Sequence, residues 1–158
     1  TAQRVTFSTY KNRNTMKTMI GCTPRCVTTY VSDSYGGSVS DRQIIERSTL
    51  LTDYPLRPKD SIMADRGIMV QDLFASKDVF VNTPHMLKGK HQLDSKTVVQ
   101  DRRIASKRVH IERVIALAKT FKILTGPLNA KRLALGGRIT FICFMINNFR
   151  ECILSKFG

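Results

Sequence analysis

Ser61-Ile62-Met63-Ala64-Asp65-Arg66-Gly67 runs from apolar residues straight into an acid, a base and a glycine. The apolar run has the length of a buried strand, and Gly67 permits a sharp turn after it. Asp65 then stands at the carboxyl end of a central strand, where open α/β sheets hold their ligands. A carboxylate there is costly unless a cation meets it. The functional question becomes which cation that is, and which other residues share it.

Upstream of this stretch the pattern is extended. Residues 5–10 alternate apolar and polar side chains and read as a strand, and residues 12–14 carry turn chemistry. Residues 15–22 form a second strand offering Met16, Met19 and Ile20 to a core, and Thr23-Pro24-Arg25 breaks it. Residues 26–31 are rich in β-branched side chains and Tyr and form a third strand. The short turn makes the last two an antiparallel hairpin. Residues 32–41 read as a loop around Gly36-Gly37.

Ser40-Asp41-Arg42-Gln43 has the S-x-x-Q form of a capping box, so a helix starts there and carries Ile44, Ile45 and Leu51 inward. Asp41, in its first turn, has two readings: an acid that stabilises the helix dipole, or a functional acid. Pro55 and Pro58 mark the loop ahead of the Asp65 strand. Residues 69–74 read as a short helix, residues 79–81 as a strand, and residues 83–92 as a basic loop with His85, Lys88, Lys90 and His91. The longest helical signal runs from Ser95 to about Lys122, with Thr97-Val98-Val99-Gln100 as a second capping box. Ile111, Val114, Ile115, Ala118 and Phe121 line one apolar face of it. Glu112 lies beside that face with Arg108 four residues earlier. It reads either as a salt-bridged surface residue or as a metal ligand. Gly126-Pro127 closes the region, and residues 130–155 form a last helix whose apolar stretch, 139–149, should pack as core. This order of elements describes one α/β domain over residues 1–158 with a mixed sheet.

The charge balance narrows the function classes. Lys and Arg number 26 against 12 Asp and Glu, a formal net charge of +14. That excess favours a polyanionic partner, most often nucleic acid. It concentrates between Lys88 and Lys122, where Asp94, Asp101 and Glu112 are the only acids. No apolar run reaches the ~18 residues of a membrane span. Cys22 and Cys26 have C-x3-C spacing, which lacks the C-x2-C of common zinc ribbons even if His85 and His91 are counted. His110-Ile111-Glu112 has the H-x-E of zinc deaminases without their downstream P-C-x-x-C. Leu87-Lys88-Gly89-Lys90 lacks the upstream glycine and following Ser/Thr of a P-loop. What remains is a pair of acids, Asp65 at a strand end and Glu112 on a later helix. Such a pair can converge at one sheet edge and hold Mg²⁺, and two-metal sites stabilise both oxygens of a phosphoryl transfer.

Four blocks carry a resemblance over nearly the whole chain. They are Tyr10-Lys11-Asn12-Arg13-Asn14-Thr15-Met16-Lys17, Val31-Ser32-Asp33-Ser34-Tyr35-Gly36-Gly37-Ser38-Val39-Ser40-Asp41, Ile62-Met63-Ala64-Asp65-Arg66-Gly67, and Arg103-Ile104-Ala105-Ser106-Lys107-Arg108-Val109-His110-Ile111-Glu112-Arg113. In this order they resemble the DDE superfamily endonuclease domain of Harbinger/IS5-like transposases and their domesticated relatives. The resemblance implies an RNase H-like fold and DNA strand cleavage and transfer by carboxylates that hold two Mg²⁺ or Mn²⁺ ions. It matches Asp65 to the second acid and Glu112 to the third, with Asp41 as a further acid of less defined role. The first acid of the family lies on a first strand upstream of the Tyr10 block, and residues 1–9 contain no Asp or Glu. The sheet is therefore expected to lack its first strand, and the chain to be the C-terminal part of the catalytic domain, incomplete as it stands. Lys88, Lys90, Arg108 and Arg113 are the expected DNA contacts. The implied partners are DNA, a separate DNA-binding protein or upstream DNA-binding domain, and further copies of the chain, without a membrane. The implied setting is nuclear, or cytoplasmic in a prokaryote. A DNA-binding module without cleavage, and a protein-interaction domain, are the alternatives.

Overall fold

A computed structural model of the chain describes residues 6–8, 13–65, 67–85, 94–127 and 134–150. In place of one mixed sheet, the strands form three separate two-stranded ladders among these residues. β1 (Phe7–Ser8) pairs antiparallel with β2 (Arg13–Asn14), so residues expected to turn are instead partly paired. β3 (Met16–Cys22) pairs antiparallel with β4 (Thr28–Gly36). β5 (Ser61–Met63) pairs in parallel with β6 (Phe80–Asn82), and no third strand flanks β5 among the described residues. The helices are α1 (Asp41–Arg47), α2 (Gln71–Ala75), α3 (Ser95–Ala118), α4 (Lys122–Thr125) and α5 (Gly136–Asn147).

The hairpin forms where the sequence places it but runs further. Its turn closes through Thr23 N–H to Val27 O and Cys26 N–H to Thr23 O, both 2.9 Å, with Cys26 in the left-handed region at φ 63°. β4 continues through Ser32 and Ser34, which the Gly36-Gly37 signal places in a loop. The structure shows why they stay extended. The register shifts between Thr18 and Ile20, and there the Met19 N–H donates to the buried Ser32 Oγ at 2.9 Å. Thr18 and Ser34 share a hydroxyl hydrogen bond of 2.7 Å. Each polar side chain is thus used inside the ladder. The strand ends at Gly36, and at the next residue, Gly37, a Cβ would clash with Thr15 Oγ1.

Two cores lie on either side of the hairpin, because consecutive strand residues face opposite ways. Met19 packs with Ile45 of α1, Phe74 of α2, Val70, Val79 and Ile62. Ile20 and Val31 pack with Val114 and Ala118 of α3 and Phe144 of α5. The capping box at Ser40 is complete, with Gln43 N–H on Ser40 Oγ and Ser40 N–H on Gln43 Oε1, a cap worth about 1 kcal/mol. Ile44 and Ile45 are buried as expected, while Leu51 packs from the turn beyond α1.

Two helix expectations are corrected. Asp94, not Thr97, caps α3: its carboxylate accepts the N–H and the hydroxyl of Thr97. An acid one residue before the helix outcompetes a threonine already inside it. α3 also stops at Ala118, and a turn separates it from α4. The last helix is only half core. Cys143 and Phe144 are buried, whereas Phe141, Ile142 and Ile146 are exposed. A helix packed on one side buries one stripe, however apolar its other face. Asn148, just past α5, pins it to the hairpin: its Oδ1 accepts Thr28 N–H at 2.8 Å and its amide donates to Thr28 O at 2.9 Å. Among the described residues no helix is long and apolar enough to cross a membrane.

On the surface, Arg42 joins α1 to α2. Its Nη1 and Nη2 meet the two oxygens of Asp72 at 2.9 and 2.6 Å, and its Nε meets Glu46 at 2.8 Å. The hydrogen bonds from Arg42 hold the Asp72 carboxyl below the usual aspartate range. The contribution of this pair is therefore complete above the pKa of Asp72 in the unfolded chain. It is lost as pH falls through the lower folded-state value. In a carboxyl NMR titration Asp72 should protonate below an ordinary aspartate, and Arg42→Ala should return it to the ordinary range. An Asp72 midpoint unmoved by Arg42→Ala would remove the pair as the cause.

Candidate active site

The acid of the opening stretch sits two residues beyond β5. Ala64 N–H donates to Asn82 O at 3.0 Å and carries the parallel ladder one step past Met63. Ile68 N–H then turns back onto Asp65 O at 2.9 Å. Gly67 has open space where a Cβ would stand, so this turn does not depend on its missing side chain. Asp65 thus lies just past the carboxyl end of β5, which among the described residues pairs with β6 alone and is not the central strand expected.

The cation that meets it comes from α3. Arg108 Nη2 lies 3.3 Å from Asp65 Oδ1 and 3.7 Å from Glu112 Oε1. One nitrogen touches both acids, so their oxygens are no further apart than those two distances together. The Arg108–Glu112 contact follows from i,i+4 spacing on a helix. The Arg108–Asp65 contact does not, since it joins segments over forty residues apart in the chain. The side chains of Asp65 and Glu112 are 59% and 63% exposed, and that of Arg108 30%. These are hydrated carboxylates around a half-covered guanidinium, and exposed pairs of this kind are worth about 0–1 kcal/mol each.

An open groove of about 520 Å³ adjoins Asp65, lined by Asp65, Pro84, Val98, Asp101, Arg102, Ala105 and Arg108. Asp101 and Arg102 are functional candidates that the sequence reading missed. The signal was present: Asp101, Ala105, Arg108 and Glu112 follow i, i+4, i+7 and i+11 spacing, one face of a helix. Asp101 Oδ1 accepts from the His85 backbone N–H at 3.2 Å and contacts His85 Nδ1 at 2.8 Å. Its side chain is only 17% exposed. The pair fastens the chain after β6 to α3 at the groove wall.

The remaining expected residues lie elsewhere. Asp41 pairs with Lys17 Nζ at 3.1 Å, and that ammonium also donates to Val39 O at 3.0 Å. Asp41 thus serves the first turn of α1 and is not among the residues lining the groove. Arg113 is half-buried on α3 and does not line the groove either. Lys88, Lys90 and His91 lie outside the described residues.

The donor chemistry fits one hard divalent ion. Two exposed carboxylates suit Mg²⁺ or Mn²⁺, which keep several waters and take the rest of their shell from substrate phosphates. Among the described residues no group of three His, Cys, Asp or Glu side chains is placed to hold a metal. Asp65 and Glu112 are two donors, one fewer than such a group. The cysteines take another course. Cys26 Sγ lies 3.5 Å from His110 Nδ1. The Cys22 thiol is pushed up to about 11 by burial and then by the nearby Cys26.

Comparison with protein families matches residues 1–148 to the family described as DDE superfamily endonuclease. No curated protein and no solved structure matches the chain.

The exposure of the triad fixes how it responds to substitution. Asp65→Asn and Glu112→Gln should each change stability by no more than about 1 kcal/mol in metal-free urea denaturation. A loss of several kcal/mol from either would mean that the acid supports the fold, and would count against a site built for exchangeable partners.

Proposed function

The chain belongs to the DDE superfamily endonuclease family, and from that premise we propose that it binds DNA and cleaves and transfers its strands with a divalent metal held by Asp65 and Glu112. The observation that carries this reading is the convergence of those two acids, from separate elements, on one cationic nitrogen. The β5–α2–β6 unit, with an acid just past its first strand, supports an RNase H-like arrangement in which α3 brings the last acid to the same edge. The family's two-metal scheme extends the reading, with donors beyond these two acids needed for the second ion.

Each neighbouring side chain has a role in this proposal. The net charge of +14 draws the chain onto the phosphate backbone, whatever the base sequence. Arg102 and Arg108 face the groove and can position phosphates beside Asp65. Asp101, by holding His85, keeps the groove wall in place as DNA enters. Lys88, Lys90 and Arg113 belong to the same basic stretch of the sequence and add candidate phosphate contacts to it. A bound Mg²⁺ or Mn²⁺ supplies charge stabilisation at the transferring phosphate and a water activated for attack. The setting we propose is the nucleus, or the cytoplasm of a prokaryote.

A second reading, DNA binding without cleavage, draws on the lack of a three-ligand group among the described residues. A plasmid-nicking assay separates the two. With Mn²⁺ the protein should nick supercoiled DNA, and EDTA should stop it. Asp65→Asn and Glu112→Gln should each lower the rate by at least about 100-fold, because even partners behind the ligands typically cost 10–100-fold. Their DNA affinity should remain salt-dependent, since the phosphate contacts are untouched. Nicking at the parent rate by either variant would remove that acid from the site. Salt-dependent binding with no nicking at all would favour the second reading.

A further inference from the structure

A guanidinium occupies the space between Asp65 and Glu112 in which the proposed metal would be held. Two cations cannot share that space cheaply. At contact distance like charges repel even through water, and several times more strongly near a protein surface. A divalent ion doubles that repulsion. We propose that Arg108 is a counter-ion that must leave the two acids for the metal to enter, and that a DNA phosphate is where it goes. The inference rests on the metal reading of Asp65 and Glu112 and adds what controls it. Metal and DNA then bind cooperatively, through one side chain that changes partner.

Several observations carry this. Arg108 contacts both acids through the same Nη2, so moving one group breaks both contacts. The acids are well hydrated and the ion pairs correspondingly weak, so a phosphate can compete for the guanidinium. Arginine binds phosphate through paired N–H groups and favours it over an exposed carboxylate contact at 3.7 Å. Finally, Arg108 lines the groove alongside Arg102, where an entering backbone meets it. Linkage requires the coupling to be mutual: DNA tightens metal binding by the factor by which metal tightens DNA binding.

The test is Mn²⁺ affinity, read from the electron paramagnetic resonance signal of the free ion, for the whole protein without DNA. Arg108→Gln should bind Mn²⁺ more tightly than the parent by about fivefold or more, within the usual 5–150-fold range of such couplings. Arg108→Lys, which keeps the charge but loses the fork, should fall between. In fluorescence anisotropy with a short duplex at fixed ionic strength, Ca²⁺ should affect the affinity of the parent more favourably than that of Arg108→Gln. Equal or weaker Mn²⁺ binding by Arg108→Gln, while Asp65→Asn abolishes it, would overturn the exchange and leave the metal site standing. Mn²⁺ binding that is absent from parent and Arg108→Gln alike, or indifferent to Asp65→Asn, would overturn the metal reading itself and the exchange with it. If Arg108→Gln fails to fold, as judged by circular dichroism, the other two measurements decide. Tighter Mn²⁺ binding by Arg108→Lys and a favourable Ca²⁺ response of the parent would then support the exchange, and the absence of both would overturn it.

Discussion

Two carboxylates brought to one nitrogen make a demand that the rest of the chain has to meet. Asp65 must end a short parallel ladder, Glu112 must sit a turn beyond Arg108 on a long helix, and the two elements must lie side by side. The parallel ladder needs a crossover, which α2 provides while burying Phe74 beneath it. The helix needs a firm seat, which Val114 and Ala118 provide against Ile20, Val31 and Phe144. Met19 and Ile20, neighbours on β3, face the two cores in turn, so the hairpin fixes the crossover unit and the long helix relative to each other. The position of the acids is therefore a consequence of packing on both sides of one strand.

The energetics of the triad differ from those of the fold around it. Burying Phe74 or Val114 contributes about 1.5–3 kcal/mol per side chain, and such contacts are lost only on unfolding. The three charges are hydrated, and each contact contributes about 1 kcal/mol or less. A stiff frame thus presents a weakly committed group of charges. That division suits the site proposed above, whose partners would be ions and phosphates that come and go.

Much of this was legible in the amino-acid sequence. The element order, the Thr23-Pro24-Arg25 turn and the Ser40 cap are local, set by residues within a few positions of each other. Arg108 and Glu112 could be paired on helical spacing alone. The Arg108–Asp65 contact could not, because only the tertiary packing of α3 against the β5 end creates it. Ser32 and Ser34 looked like loop because the Gly36-Gly37 signal was extended back over them, without the cross-strand contacts that use their hydroxyls. Thr97 looked like a cap because the better acid, Asp94, stood three residues earlier. Residues 139–149 looked like core throughout, since apolar composition does not reveal how many sides of a helix have neighbours. Asp101 was seen only as one acid among basic residues. Its place on the Arg108 face was written in the spacing, but its partner His85 was not.

The most direct measurement is a crystal structure of the protein grown with Mn²⁺ and a short duplex, read by anomalous scattering at the manganese edge. The expected result is an anomalous peak bonded to Asp65 and Glu112, with Arg108 turned onto a phosphate of the DNA. A structure with DNA in the groove, Arg108 still between the two carboxylates and no manganese on either would contradict it.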